Sequence, residues 1–311
     1  MLSRAAERVY WAGRYLERAE NTARIVQQYS QLLLDLPDEV GVAWDELVAI
    51  FGAASDFDTS SRNNAEREIL DFLLADASSG TSLLHSIKMA RDNIRNSRDL
   101  LPQESWENAN ELYQFAQKEL ATTTSSEDSF EVLSECIGRC QQINGILMGT
   151  MSHNSPYYFL TLGQAMERAD MMSRIIDVAA AYLQQNERLV LRYGSTLWTN
   201  VLKSVSGFQM YRQYCQPEVE GLVVIDFLLN DAKFPRAVRA CAELAKNAAA
   251  MLPRGDRLIH SLDRIEHALP SPLPDDLDGA EVSRLMDTLQ KRLAAAHEAV
   301  VETWFLPGDD A

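Results

Sequence analysis

Glu17, Glu20, Glu167 and Asp170 are the residues of this chain whose types and spacing most suggest chemistry. They form two pairs, Glu17-x-x-Glu20 and Glu167-x-x-Asp170, inside the runs GRYLERAENTARI (13–25) and GQAMERADMMSRI (163–175). On a helix, Gly13, Glu17, Glu20 and Arg24 fall within about 60° of one another, and Gly163, Glu167, Asp170 and Arg174 repeat the row. Three arrangements fit carboxylates set among Arg14, Arg18, Arg24, Arg168 and Arg174. The plainest is an ion-pair network that fixes the register of two helices, a use better attested than added stability. The second is a ligand- or partner-binding centre, because perturbed charges gather at functional sites. The third is a carboxylate-bridged dimetal site in a helical bundle. It fits least, since no Glu-x-x-His accompanies the pairs and the arginines neutralise oxygens that a hard cation needs. No metal or cofactor is therefore expected.

The row borders an apolar stripe, so each carboxylate needs a partner if it is buried. Glu20–Arg24 and Asp170–Arg174 supply one at i,i+4 in the favourable acid-first order. Glu17 and Glu167 must then be served from the opposite helix: Arg168 or Arg174 for Glu17, Arg18 or Arg24 for Glu167. A mid-helix glycine costs about 1 kcal/mol against alanine. Gly13 and Gly163, one at the head of each row, thus point to a close crossing of the two helices. The second row is flanked by Met171 and Met172 where the first has Asn21 and Thr22, which predicts deeper burial of the second helix. His153, in the polar run SHNSPY before the second row, completes the candidate binding set as an anion-holding loop residue. The alternative there is a plain turn with Ser155 as cap.

Helical periodicity carries these rows. Val9, Ala12, Leu16, Ala19, Ala23 and Val26 recur at spacings of three and four, and no segment alternates like a strand. The expected fold is all-α, a bundle of roughly ten to twelve helices. Breaks are expected at 35–41, 55–64, 76–82, 122–129, 152–157, 252–256 and 270–279, with Ser82, Ser129, Ser155 and Asp278 as candidate N-caps. The two charged runs share six identities. LDFLLADA (70–77) and IDFLLNDA (225–232) form a second matching pair, and Trp44 and Trp198 lie between the markers in each half. Three markers in register predict two tandem copies of one helical unit, 1–150 and 151–311, related by a pseudo-twofold axis within one body. The second copy carries an extra C-terminal helix over 278–305, whose stripe Val282, Leu285, Met286, Leu289, Leu293 and Ala296, ending at Trp304 and Phe305, reads as a cap on the body.

Composition bounds the function. The formal net charge is −16, which disfavours nucleic acid and anionic membrane surfaces and suits cationic partners or simple solvation. The first residues contain no apolar run before a cleavage site and no segment is long enough to span a bilayer, so a cytoplasmic location is expected. Cys136, Cys140, Cys215 and Cys241 form no CxxC pair and read as reduced structural thiols. His85, His260, His267 and His297 lack metal spacing. No P-loop, GxGxxG, GxSxG, HExxH or SxxK pattern occurs, so catalytic activity of its own is not expected. Tyr10, Trp11, Tyr15, Tyr157, Tyr158 and Phe159 read as core or interface.

The opening MLSRAAERVYWAGRYLERAENTARIV resembles the start of the bacterial alpha-E family, with Met1-Leu2-Ser3-Arg4, Ala6-Glu7, Tyr10-Trp11, Gly13-Arg14-Tyr15 and Glu17 through Arg24 standing in its signature. TMSHNSPYYFLTLGQAMERAD is similar to the family's second motif, with Gln164-Ala165 in place of a more usual Arg-Tyr and Asn154-Ser155-Pro156 in place of a commoner acidic stretch. The resemblance spans essentially the whole chain. It implies an all-helical protein associated with a circularly permuted ATP-grasp ligase, in systems that make or modify a peptide through amide bonds. The reading that follows is an accessory or scaffold subunit of such a ligase, with the ligase as partner, a peptide as a further ligand, and self-association open. The alternative is a helical-bundle enzyme with a carboxylate site, metal-dependent or using Glu17 and Glu167 as acid and base. The resemblance supplies no catalytic residue.

Overall fold

The computed structural model describes residues 3–37, 44–53, 57, 65–123, 125–185, 187–215, 218–274 and 276–306, with the side chains of 65 and 182–191 excepted. Among them the chain is all-α, with no strand. In order come α1 (Ser3–Asp35), α2 (Trp44–Ile50), α3 (Ala65–Leu70), α4 (Leu83–Arg95), α5 (Gln103–Glu119), α6 (Ser126–Thr150), α7 (Ser155–Gln185), α8 (Glu187–Ser204), α9 (Phe208–Tyr214), α10 (Gly221–Asn230), α11 (Val238–Ala250), α12 (Asp256–Glu266) and α13 (Gly279–Val300). Wide π-turns extend α3 over Asp71–Ala75 and α13 over Val301–Phe305. The thirteen α-helices exceed the sequence expectation because short elements such as α9 carry too few residues to show a period.

The long helices α1 and α7 pack on each other. Around α1 stand α4, α6 and α8, and around α7 stand α2, α8, α11 and α13. The apolar stripe Val9, Ala12, Leu16, Ala19, Ala23 and Val26 is wholly buried. Contacts advance together along both chains. Tyr10 meets Gly163, Arg14 meets Glu167, and Ile25 and Ile175 flank one apolar cavity, so the helices run side by side in the same direction. The expected deeper burial of α7 is not found: Asn21 and Thr22 of α1 are as buried as Met171 and Met172 of α7. Helices cover α1 on every side, and Asn21 satisfies its amide oxygen internally by accepting from Arg236, so polarity there does not signal exposure.

The helix crossing is set by two glycines. A Cβ built on Gly13 would lie under 3.0 Å from the Leu160 carbonyl oxygen and 3.3 Å from Gln164 N, and one on Gly163 would collide likewise with the Tyr10 carbonyl. Only hydrogen at both positions lets the backbones touch.

Local signals explain several boundaries. The Ser82 hydroxyl caps α4 by accepting from His85 N at 3.0 Å, and Asp278 forms a capping box with Glu281 at α13. Two expected caps are corrected. Ser125, not Ser129, caps α6 by accepting from Asp128 N, and Ser129 bonds back to the Ser126 carbonyl within the first turn. Ser155 is the first residue of α7, whose opening carbonyl is that of Asn154, 3.1 Å from Tyr158 N. The expected break at 55–64 lies mostly outside the described residues, as do residues 38–41 of the first break. The C-terminal helix packs on its own body. Val282, Met286, Leu289, Leu293 and Ala296 are buried, Trp304 Nε1 donates to the Pro253 carbonyl at 2.7 Å, and Phe305 rests against Tyr10 and Phe159.

Candidate Glu–Arg centre

Close approach of α1 and α7 brings the two charged rows together one turn beyond the glycines. Glu167 is buried and takes three donor contacts from α1: Arg14 Nε at 2.6 Å, Arg18 Nε at 2.5 Å and Arg18 Nη2 at 3.1 Å. Glu17 is equally buried. Its Oε2 lies 2.9 Å from Arg168 Nε of α7, a charge contact without hydrogen-bond alignment, and its Oε1 accepts from Arg236 Nη1 at 2.6 Å. Of the two donors expected for each from the opposite helix, Arg18 reaches Glu167 and Arg168 reaches Glu17, while Arg24 and Arg174 pair within their own helices. Those pairs are Glu20–Arg24 at 2.5 Å and Asp170–Arg174 at 3.2 Å.

Two features go beyond the sequence reading. Arg236, in the turn before α11, bridges Glu17 and Glu20 and also donates to Asn21. Gln141 and Asn144 of α6 approach Glu20 at 3.4 Å, and Asn144 also accepts from Gln164. Arg236 lies 216 residues from Glu20 and outside both charged runs. The one signal that could have found it is the contrast between Arg236 and Thr81, which occupy the same place after the two LDFLLADA-like runs. His153 is not part of the centre. It is exposed and stacks on Tyr157 at 4.0 Å, because the short 151–154 connection ends outside the helix crossing.

The electrostatics follow from burial and pairing. Burial alone would raise the Glu167 carboxyl, but Arg14 and then Arg18 outweigh it and hold it down to about 2. Burial opposes ionisation of Glu20 as well, and Arg236 and Arg24 overcome it, lowering its pKa. Arg14, Arg18 and Arg236 are desolvated, yet their carboxylates raise them above the usual arginine value. A carboxylate so held neither takes nor gives a proton near neutrality, so Glu167 is a poor acid or base. Among the described residues no group of three or more His, Cys, Asp or Glu is placed to hold a metal ion. The arrangement suits specification of one register: leaving a buried ion pair half-made costs about 3–5 kcal/mol.

Neighbouring groups are equally fixed. Tyr10, buried beside the crossing, shares a 2.9 Å hydrogen bond with His297 Nδ1 and stacks on that ring. Burial, then the Arg14 charge, lowers His297 to about 4, so it is neutral at pH 7. Burial raises the Cys136 and Cys241 thiols to about 12 and pushes Cys140 well up; Cys215 is exposed. These cysteines are free. No described helix is long and apolar enough to cross a membrane.

Fold and site together define an all-helical protein centred on a buried Glu–Arg network between two long parallel helices. The chain belongs to the Alpha-E family: the family's sequence model, described as a predicted alpha-helical domain with a conserved ER motif, matches residues 1–305. Glu17-Arg18 and Glu167-Arg168 are Glu-Arg dipeptides within the centre. Comparison with curated proteins and with solved structures gives no match.

Proposed function

We propose that this chain is a non-catalytic accessory or scaffold subunit that works with an ATP-grasp peptide or amide ligase, and that its halves are tandem copies of one helical unit. The observation that carries the first part is the pairing of the centre's carboxylates. Each of its four carboxylates is ion-paired to arginine, which suits a group that organises a surface rather than one that exchanges protons or binds metal. The ligase as partner comes from the family resemblance.

Helix order supports the duplication. The 13-residue helices α4 and α11 each follow an LDFLLADA-like run, α6 and α13 close the two halves, and the glycine contacts are reciprocal. A pseudo-twofold axis between α1 and α7 relates equivalent elements and exchanges the crossed ion pairs, Arg18–Glu167 with Arg168–Glu17.

The test is co-purification of the full chain with a circularly permuted ATP-grasp protein from the same organism, together with the ligase's ATP turnover in its presence and absence. Association or a change in turnover is the expected result. If neither occurs, the accessory role fails. No observation favours the enzyme alternative, and stoichiometric iron, manganese or zinc in the purified protein would revive it.

A further inference from the structure

The two charged clusters differ in one respect. Arg236 stands two residues before α11 and fills the space between Glu17 and Glu20. Thr81 stands two residues before α4, and its hydroxyl, 2.8 Å from Ser79 Oγ, is too short to play that part toward Glu167 and Asp170. A cleft of about 160 Å³ remains at that place. Arg18, Glu167, Asp170 and Arg174 form its charged wall, Phe51 and Met171 its apolar wall, and Thr81 its edge. The side chains of Asp170 and Arg174 are 23% and 33% exposed, against 3% and 13% for Glu20 and Arg24, which hold their places in the filled cluster. Arg174 is fixed from two sides: Asp170 holds its Nε, and its Nη1 lies where a Cβ on Gly52, at φ +67°, would come to 2.6 Å.

Donor capacity indicates the ligand. The cleft is lined by Arg18 and Arg174 against Glu167 and Asp170, a balanced set. In the filled cluster Arg236 adds a third arginine to Arg24 and Arg168, against Glu17 and Glu20. A guanidinium carries five N–H donors, and only Nε of Arg174 is used by Asp170. The spare forked donors of Arg174 match a carboxylate, often bidentately. The volume is on the scale of a cavity that accepts a benzene-sized molecule, so there is room for a short apolar body against Phe51 and Met171.

We propose that this cleft binds a small carboxylate carrying an apolar group, the carboxylate on Arg18 and Arg174 and the apolar part on Phe51 and Met171. The carboxylate is either that of a free amino acid or that of an acyl or peptide end. This deepens the accessory reading, since an amide ligase consumes carboxylates, and the comparison of Thr81 with Arg236 rests on the tandem-copy reading.

The experiment is calorimetric titration of the full chain with L-leucine, 4-methylpentanoate, which lacks the ammonium, and 3-methylbutylamine, which lacks the carboxylate. At least one of the two carboxylates is expected to bind and the amine is not. Leucine alone binding identifies a free amino acid, whereas 4-methylpentanoate binding as well or better identifies an acyl or peptide carboxylate. Thr81→Arg places in this cleft the guanidinium that Arg236 supplies in the other and should weaken binding at least about tenfold, a change of about 1.4 kcal/mol. Arg174→Gln, at a partly exposed position, should do the same if the first variant does not fold. Binding of the amine, no binding of either carboxylate up to about 10 mM, about ten times the upper end of usual KM values, or undiminished binding in a folded variant would overturn the proposal. None of these readouts needs the ligase, so failure here and failure to associate with the ligase are separate results.

Discussion

Replacing Gly13 with alanine tests the helix crossing by the sign of its effect. In a helix interior alanine is better than glycine by about 1 kcal/mol, so propensity alone predicts a gain. Against that, the new Cβ would lie under 3.0 Å from the Leu160 carbonyl oxygen and 3.3 Å from Gln164 N, where ordinary contact begins at 3.4 Å. Both obstacles are backbone and cannot rotate away, so α1 and α7 must part by at least about 0.4 Å. Overpacking of this kind costs about 1–3 kcal/mol. Parting also lengthens the Arg14–Glu167 and Arg18–Glu167 contacts, now 2.6 and 2.5 Å, one turn away. Set against the propensity gain, and with the weakened ion pairs added, the expected net loss is about 1–2 kcal/mol, and Gly163→Ala should match it. The double variant should lose less than the sum, because one separation accommodates both methyls. Gly145→Ala is the control: this exposed glycine of α6 has nothing within 4 Å of a built Cβ, so a gain of about 0.5–1 kcal/mol is expected. Urea midpoints, with unchanged m-values, measure all four variants. A Gly13→Ala protein as stable as the parent or more so would refute the close crossing.

Three further outcomes are expected. Glu167 titrates at about 2 in the fold and near 4.3 when unfolded. Its stabilising contribution is therefore complete above about pH 5 and is lost as pH falls toward 2. Glu167→Gln should cost about 3–5 kcal/mol at pH 7 and distinctly less at pH 3; an equal deficit in urea midpoint at both values would contradict the pairing. Exchanging Glu20 and Arg24 (E20R with R24E) should be clearly destabilising by the same assay. It would set a guanidinium against Arg236, now 2.9 Å from Glu20, whereas an isolated exposed pair would change stability by under about 1 kcal/mol. Native protein should expose one thiol per chain to Ellman's reagent, that of Cys215, and all four only after unfolding, since the other three are buried; rapid reaction of a second thiol in folded protein would count against the packing around the centre.

What could be read in the sequence was what repeats or lies within a turn of itself. Gly13 and Gly163 stood out because glycine is costly in mid-helix, and that cost pointed to the crossing. Glu20–Arg24 and Asp170–Arg174 followed from helical spacing, and Arg18–Glu167 and Arg168–Glu17 from the need to partner buried charge. Arg236 was hidden because its partners are distant in sequence and its turn, KFPRA, carries no period. The depth of α1 was misjudged because Asn21 and Thr22 look like surface residues until their surroundings are known. His153 drew notice as a polar loop residue, yet loop composition does not say which way a loop faces. The Tyr10–His297 pair joins positions 287 apart, and neither residue has a local pattern that announces the other.

The crossed pairing has a consequence for how the chain can be divided. Arg14 and Arg18 neutralise a glutamate contributed by α7, while Arg168 and Arg236 neutralise one contributed by α1. Severed near residue 150, the amino-terminal piece would hold Arg14, Arg18 and Glu17 without their partners, and the carboxy-terminal piece Arg168, Arg236 and Glu167. Each fragment is thus a poor solitary protein and a good match for the other, so separately expressed pieces should gain order only on mixing.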